Sequence, residues 1–256
     1  MLKYDYLNYF DVNLLYPKIC FFEKQIINSK FFSFAKLNHA FWQMFFQDGA
    51  YWRSNFIKTH GIDFIEDFIS LMPKLESFIG VSLTGPPNIV NLTNLNPYKT
   101  MHAINKIFEN KNLFYGQLWK TYFLNYSISK FFKIIKLNEN PIIVVGMKHL
   151  CNINDFLNFA DFVFIEIDLK ASFHRMEILN LLKSKIKKNS IIFYQAGEML
   201  SAWFIHSLAR ECVYQIDMGR TLDVFSSGIY ENSAIQTLPD IKDQLWMKNI
   251  DLGRFL

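Results

Sequence analysis

Cysteine is scarce in this sequence. The three cysteines, Cys20, Cys151 and Cys212, stand far apart and form no CxxC pair. Disulfide frameworks and structural zinc sites need paired or closely spaced cysteines, so we expect neither of them. The N-terminal stretch MLKYDYLNYFDVN contains acidic residues and no continuous apolar core, which is not the pattern of a signal peptide. Together these features predict a cytoplasmic protein.

A large excess of charge is also missing. The 256 residues carry a formal net charge of only +4, well short of what a dedicated nucleic-acid-binding protein carries, so we expect no nucleic-acid partner. This mild positive charge suits an anionic ligand, and it is also compatible with peripheral contact at a membrane surface. The longest charge-free stretch, Ser77 to Tyr98, contains Pro86-Pro87 and several asparagines, so it does not read as a membrane span.

Several common catalytic motifs are absent. There is no GxxxxGK[ST] sequence, no GxSxG sequence, and no GxGxxG after the first strand of the C-terminal half. These absences argue against a P-loop NTPase, a hydrolase with a nucleophile elbow and a nicotinamide-dependent dehydrogenase. The six histidines have no metal-ligand spacing, so we expect them to be structural.

What the C-terminal half does contain is a regular alternation of strand-like and helix-like segments. Hydrophobic residues make up 51% of the chain, enough for a substantial core. Four apolar runs of strand length alternate with helical patterns, which predicts an α/β fold with a Rossmann-like parallel sheet flanked by helices. The carboxyl ends of parallel strands share one edge, where ligands bind in open α/β sheets. The residues expected at that edge are Gly146, Asp168, Gly197 and Asp217.

The domain organisation follows from the same pattern. We predict a single α/β domain over residues 1–256, with a helix-rich N-terminal half (1–138) and a Rossmann-like C-terminal half (139–256). The N-terminal half includes a predicted helix from about Phe22, an acidic-glycine loop at Asp48-Gly49 and a strand at Ser77 to Leu83.

The order of several short motifs resembles the GT-D glycosyltransferases. The run from Ile191 to Phe225, with Ala196-Gly197 before a helix and IDMGR after it, is similar to the C-terminal part of that family, whose last strand ends in Asp-x-Gly-His. Gln47-Asp48-Gly49-Ala50 corresponds to the family's Gly-Asp-Gly-Glu, and Tyr115-Gly116 is similar to its Tyr-Gly. The similarity covers roughly Phe45 to Phe225.

This resemblance implies a GT-D-like fold and a glycosyltransferase that moves a sugar from a nucleotide-diphosphate sugar to a glycan or glycolipid acceptor. It also implies that Asp48 is catalytic and binds a divalent cation, Mn²⁺ or Mg²⁺. The residues that would bind the donor on this basis are Gly49, Gly146, Gly197, Glu198, Asp217, Gly219 and Arg220.

The sequence departs from the family pattern at two positions. Ala50 replaces the glutamate that supplies the second carboxylate, and one carboxylate is a weak site for a hard cation. Either another acid, Glu198 or Asp168, completes the metal site, or Arg53 takes the place of the metal as a catalytic cation. Arg220 replaces the family's histidine and suits a phosphate group. Glu198 would repel a phosphate bound at the start of its helix.

These departures keep other interpretations open. Asp48-Gly49 also fits a simple tight turn. The missing glutamate favours a non-catalytic glycosyltransferase-like subunit for binding or assembly as one alternative. Another Rossmann-like transferase, such as a methyltransferase, is a second alternative, which the absent glycine-rich first turn disfavours.

Overall fold

The structure is a computed structural model. It describes residues 12–37, 50–81 and 127–225, together with residues 41–42, 45, 104, 106–108, 113–115 and 119. The structural statements below concern these residues.

One parallel sheet organises the described part of the chain. Its seven strands lie in the order β3-β2-β1-β7-β6-β4-β5, and every pair of neighbours is parallel. The strands are β1 (Ser33–Leu37), β2 (Phe78–Val81), β3 (Leu113–Tyr115), β4 (Ile142–Met147), β5 (Phe162–Ile167), β6 (Ile191–Gln195) and β7 (Tyr214–Asp217).

Helices cover both faces of this sheet, as a parallel sheet requires. The α-helices are α1 (Val12–Ile27), α2 (Ala50–His60), α3 (Ile62–Leu71), α4 (Ser127–Leu137), α5 (Ile153–Leu157), α6 (Arg175–Lys185) and α7 (Glu198–Ser207). Short 3₁₀ helices follow the ends of β4, β5 and β7, at Lys148–Leu150, Ala171–His174 and Gly219–Phe225, and another follows α3 at Met72–Lys74.

The core consists of two apolar layers, one on each face of the sheet. Side chains from α1, α4 and α5 form one layer, which includes Phe22, Phe131 and Ile153. Side chains from α3, α6 and α7 form the other, which includes Phe68, Leu182 and Phe204. All five residues of β6 are buried, because this strand is covered from both sides. The carboxyl end of β6 is therefore packed between the two layers.

The structure confirms the predicted parallel sheet flanked by helices and the four strands of the C-terminal half. The N-terminal half is helix-rich, as predicted, and it contributes three strands to the same sheet, of which only β2 was predicted, at Ser77 to Leu83. The helix predicted from about Phe22 begins earlier, at Val12, and ends at Ile27. The aromatic residues that follow it belong to β1 and the turn before it.

Within the ranges listed above, no helix is both long and apolar enough to cross a membrane.

Candidate functional site

The carboxyl ends of β1, β4, β5, β6 and β7 surround a cleft of about 420 Å³. The strand register aligns the carboxyl ends of these strands: Gly146 pairs with Gln195, and Tyr194 pairs with Asp217. Gly146, Asp168, Gly197 and Asp217 thus lie at one edge of one sheet, which confirms their predicted placement. The cleft is lined by Lys36, Thr59, His60, Met147, His149, Ile167, Asp168, Leu169, Ala171, Ser172, Gln195, Ala196, Gly197, Glu198, Leu200, Asp217, Gly219 and Asp223.

Two buried, oppositely charged side chains come from adjacent strands of the sheet. Lys36 on β1 is 7% exposed, and Asp217 at the end of β7 is 2% exposed. Burial raises the pKa of Asp217 to about 7, although the positive charge of Lys36 and the backbone N–H groups of Gly219 and Lys36 lower it. Burial likewise lowers the pKa of Lys36, against the attraction of Asp217 and Glu198. Desolvation outweighs mutual attraction for both groups, so this pair is costly to maintain.

Gly219 lies close to both side chains of this pair. Its backbone N–H donates a hydrogen bond of 2.9 Å to Oδ1 of Asp217. Its φ of 54° lies in the left-handed region, where residues with a Cβ are strained. A Cβ added here would lie 2.7 Å from Nζ of Lys36. Glycine at this position therefore allows the lysine ammonium to approach the backbone after β7.

Two oxygen atoms of cleft residues lack hydrogen-bond partners in the described structure. They are Oδ2 of Asp217 and Oε1 of Gln195, and both residues are buried. Leaving a buried polar group unsatisfied costs about 1–3 kcal/mol. Oε1 of Gln195 is an acceptor, and Oδ2 of Asp217 is an acceptor when the carboxyl group is ionised, so a bound ligand with hydroxyl or N–H donors would satisfy them.

Asp223 holds His149 beside the cleft. Nε2 of His149 lies 2.8 Å from Oδ1 of Asp223, and Nε2 of Gln195 donates a hydrogen bond to the same oxygen. The carboxylate is almost fully buried (1% exposed), whereas the imidazole is 44% exposed. The three side chains come from β6 and from the 3₁₀ helices after β4 and β7. This arrangement fixes the orientation of a half-exposed imidazole.

His60, the last residue of α2, also lines the cleft. Burial lowers the pKa of His60 to about 4, so the imidazole is neutral near pH 7. Its Nδ1 atom is buried and has no hydrogen-bond partner in the described ranges. Apart from histidines, the ionisable side chains of the described lining are one lysine and four carboxyl groups, those of Asp168, Glu198, Asp217 and Asp223.

The structure brings together four of the predicted site residues, because Gly197, Glu198, Asp217 and Gly219 all line the cleft. Gly146 is not among the residues that line the cleft, and a Cβ added to it would lie 2.7 Å from Cδ1 of Leu150.

The remaining predicted residues are placed less completely. Arg53 lies in α2 and Arg220 in the 3₁₀ helix after β7, and nothing is described of either side chain. Asp48 and Gly49 fall outside the described residues, just before the start of α2.

Sequence reasoning missed Lys36, Gln195, His149 and Asp223. The sequence predicts a helix from about Phe22 and no strand at Lys36, and it predicts a structural role for all six histidines, including His149. One signal was available for Asp223, which follows Asp217 within the same predicted strand-end motif, IDMGRTLD. No local pattern reveals that His149 and Asp223 meet, because they belong to different elements.

The fit to a divalent cation can be judged from the side chains present. Within the described ranges, no group of three or more histidine, cysteine, aspartate or glutamate side chains is arranged to hold a metal ion. The free oxygen of Asp217 is a single ligand beside a lysine, and hard cations take several oxygens. The described residues alone therefore do not supply the ligands of a Mn²⁺ or Mg²⁺ site, and the predicted ligand Asp48 lies outside them, so the divalent cation stays a prediction.

Comparison of this chain with protein-family models, with curated proteins and with solved structures found no match.

Proposed function

We propose that this protein is a glycosyltransferase that binds a nucleotide-diphosphate sugar in the cleft and transfers the sugar to a glycan or glycolipid acceptor. The observation that carries this proposal is the combination, in one cleft, of unsatisfied buried acceptor oxygens with a buried lysine. A sugar presents several hydroxyl donors, and a diphosphate presents negative charge. The buried oxygens can accept hydrogen bonds from the sugar hydroxyls, and the lysine can bind the negatively charged diphosphate.

The sugar fits the acceptor atoms. Oδ2 of Asp217 and Oε1 of Gln195 belong to neighbouring strands, since Gln195 ends β6 and Asp217 ends β7. Sugar hydroxyls would satisfy both oxygens and remove the penalty of leaving them unpaired. A site built to accept hydrogen bonds from hydroxyls also rejects ligands that lack them. We assign Asp217 and Gln195 to recognition of the donor sugar.

The diphosphate needs a cation because the cleft is rich in carboxyl groups. Lys36 supplies one charge, and the close approach allowed by Gly219 brings its ammonium to the backbone after β7. Arg220 follows Gly219 directly, so its guanidinium is the second expected contact to phosphate. The negative charge that develops on the departing nucleoside diphosphate would be stabilised by these two cations.

Thermal-shift measurements with a panel of nucleotide-diphosphate sugars, with and without manganese, test this proposal. Stabilisation by at least one nucleotide-diphosphate sugar is expected. Lys36→Met should weaken that binding by about 1.5–3 kcal/mol if the lysine makes a charge-assisted hydrogen bond to phosphate. Lys183→Met is the matched control, since Lys183 is exposed on α6 and does not line the cleft.

The other outcomes distinguish the alternatives. Stabilisation by S-adenosylmethionine instead would indicate a methyltransferase. Absence of stabilisation by either class of ligand would favour a non-catalytic subunit that binds or assembles with other proteins. Equal loss of binding in Lys36→Met and Lys183→Met would show that the effect is not local to the cleft.

A further inference from the structure

We propose that His149 is the general base of this site and that Asp223 is the residue that positions and supports it. This inference rests on the proposed function, because it assigns the proton transfer that sugar transfer requires. It adds a residue that neither the sequence motifs nor the resemblance to glycosyltransferases indicated.

The hydrogen bonds determine which nitrogen of His149 is available. A carboxylate only accepts hydrogen bonds, so Nε2 of His149 carries the ring hydrogen and donates a hydrogen bond of 2.8 Å to Oδ1 of Asp223. Nδ1 is then the basic nitrogen. Gln195 also donates to Oδ1 of Asp223, which holds the carboxylate in place. A base oriented by a second, buried group is the arrangement that general-base catalysis uses.

The location of His149 suits contact with an acceptor. Asp223 is 1% exposed, whereas His149 is 44% exposed and lines the cleft. Nε2 of the imidazole is therefore held by the protein, while part of the ring is accessible to a group that enters from solvent. Gln195 lines the same cleft and is one of the two residues assigned to sugar recognition, so its hydrogen bond to Asp223 links this base to the sugar-binding part of the cleft.

Sugar transfer at this site couples removal of a proton from the acceptor to the exchange of bonds at the anomeric carbon of the donor. Nδ1 of His149 takes the proton from the acceptor hydroxyl as the acceptor oxygen forms a bond to the anomeric carbon of the donor. The bond between that carbon and the diphosphate oxygen breaks, and its electron pair leaves with the nucleoside diphosphate. The imidazolium that results is stabilised by Asp223 and returns its proton to solvent. Water can replace the acceptor, and the reaction is then hydrolysis of the donor.

The decisive variant is His149→Gln. The glutamine amide can donate to Asp223 from nearly the same place as Nε2, but it cannot take up a proton at neutral pH. A purely structural role for His149 would therefore be largely preserved. His174→Gln is the matched control, since His174 is 60% exposed, lies in the 3₁₀ helix after β5 and does not line the cleft.

The assay measures nucleoside diphosphate released from whichever nucleotide-diphosphate sugar stabilises the wild-type protein, with water as the acceptor. We expect His149→Gln to lower the rate by about 10²- to 10⁴-fold, the usual contribution of a general base, with unchanged donor affinity. His174→Gln should match the wild type. Nitrogen-15 NMR of the wild-type protein, which needs no turnover, should show Nδ1 of His149 unprotonated and Nε2 protonated at pH 8.

The outcomes separate this inference from the function on which it rests. If no nucleotide-diphosphate sugar binds, the proposed function fails and this inference fails with it. If the wild type binds and hydrolyses a donor and His149→Gln retains full hydrolysis, the proposed function survives and the role of His149 is overturned. If a donor binds but the wild type hydrolyses none, both the proposed function and the role of His149 are contradicted. Protonation of Nδ1 rather than Nε2 at pH 8 would also overturn it.

Discussion

Replacing Lys36 with methionine should make the protein's stability fall more steeply with pH above neutrality. Lys36 and Asp217 are both buried, and the lysine lowers the pKa of Asp217, which burial has raised to about 7. Without the lysine, the pKa of Asp217 should rise further above 7. Methionine matches the length of the lysine stem and brings no charge, so the packing is largely kept.

The sign of the effect follows from proton linkage. The pKa of Asp217 in the folded protein is higher than its ordinary value of 3.8, so its contribution to stability is greatest at low pH and falls as pH rises towards 7. In the wild type this loss ends near pH 7. In Lys36→Met it continues to the higher pKa of the variant, at about 1.4 kcal/mol per pH unit. For a protein of this size, that corresponds to roughly 3–5 °C in Tm per pH unit.

Below pH 7 the difference in free energy of unfolding between Lys36→Met and the wild type should change sign or vanish. Asp217 is then protonated in both proteins, and the wild type retains a buried ammonium whose charge is still attracted by Glu198 but no longer by Asp217. Removing such a charge is neutral or stabilising. Denaturant unfolding at pH 5.5, 7.0 and 8.5 tests this, with Lys183→Met as the exposed control. A constant difference between Lys36→Met and the wild type across this range would refute the coupling of Lys36 to Asp217.

Three further predictions concern the donor site. Asp48→Asn keeps the size and the turn-forming ability of the side chain but removes its charge. If Asp48 is catalytic, donor hydrolysis should fall steeply with little change in Tm, and full activity of the variant would show that Asp48 is not catalytic. Arg220→Ala should weaken nucleotide-diphosphate binding by about 1.5–3 kcal/mol, which is about 10- to 150-fold in Kd by calorimetry, and unchanged affinity in a folded variant would remove Arg220 from the site. Gly219→Ala should lower the free energy of unfolding by about 1–2 kcal/mol through its left-handed backbone, with an added cost from displacing Lys36. Gly219→Ala made in the Lys36→Met background, which lacks the Nζ atom, should show the strain without that added cost, and equal losses in the two backgrounds would contradict the close fit at Lys36.

The C-terminal half was predictable because each strand carries its own local signal. Ile142, Ile191 and their neighbours form continuous apolar runs that end at a glycine or an aspartate, and those runs correspond to strands buried on both faces. Strand direction then followed from the alternation with helices. The common edge of Gly146, Gly197 and Asp217 required no further information.

The N-terminal strands were less predictable because their signals overlap with those of helices. The aromatic residues just before and within β1 resemble the helical residues around Phe22, and only the turn at Ser29, with a φ of 52°, separates the two elements. β3 has three residues, too few for a period of two to be visible. These strands form because neighbouring strands are present to pair with them, which is tertiary information.

About half of the candidate site could not be predicted from the sequence, for the same reason. A lysine is almost always exposed, so nothing local to Lys36 predicts its burial, which depends on Asp217 at the other end of the chain. The pairing of His149 with Asp223 likewise depends on the two 3₁₀ helices meeting after β4 and β7. Glycines and acids at strand ends were visible because strand ends themselves can be recognised in the sequence.

The most direct test of the central proposal is the release of nucleoside diphosphate from a panel of nucleotide-diphosphate sugars by the purified wild-type protein. The account predicts release from at least one donor and a much lower rate in Asp217→Asn, which loses the charge of the buried carboxylate beside Lys36. Asp168→Asn is the matched control for removing a carboxylate from the cleft, since Asp168 is exposed. Failure of every donor to release nucleoside diphosphate, or equal rates in Asp217→Asn and the wild type, would contradict the account.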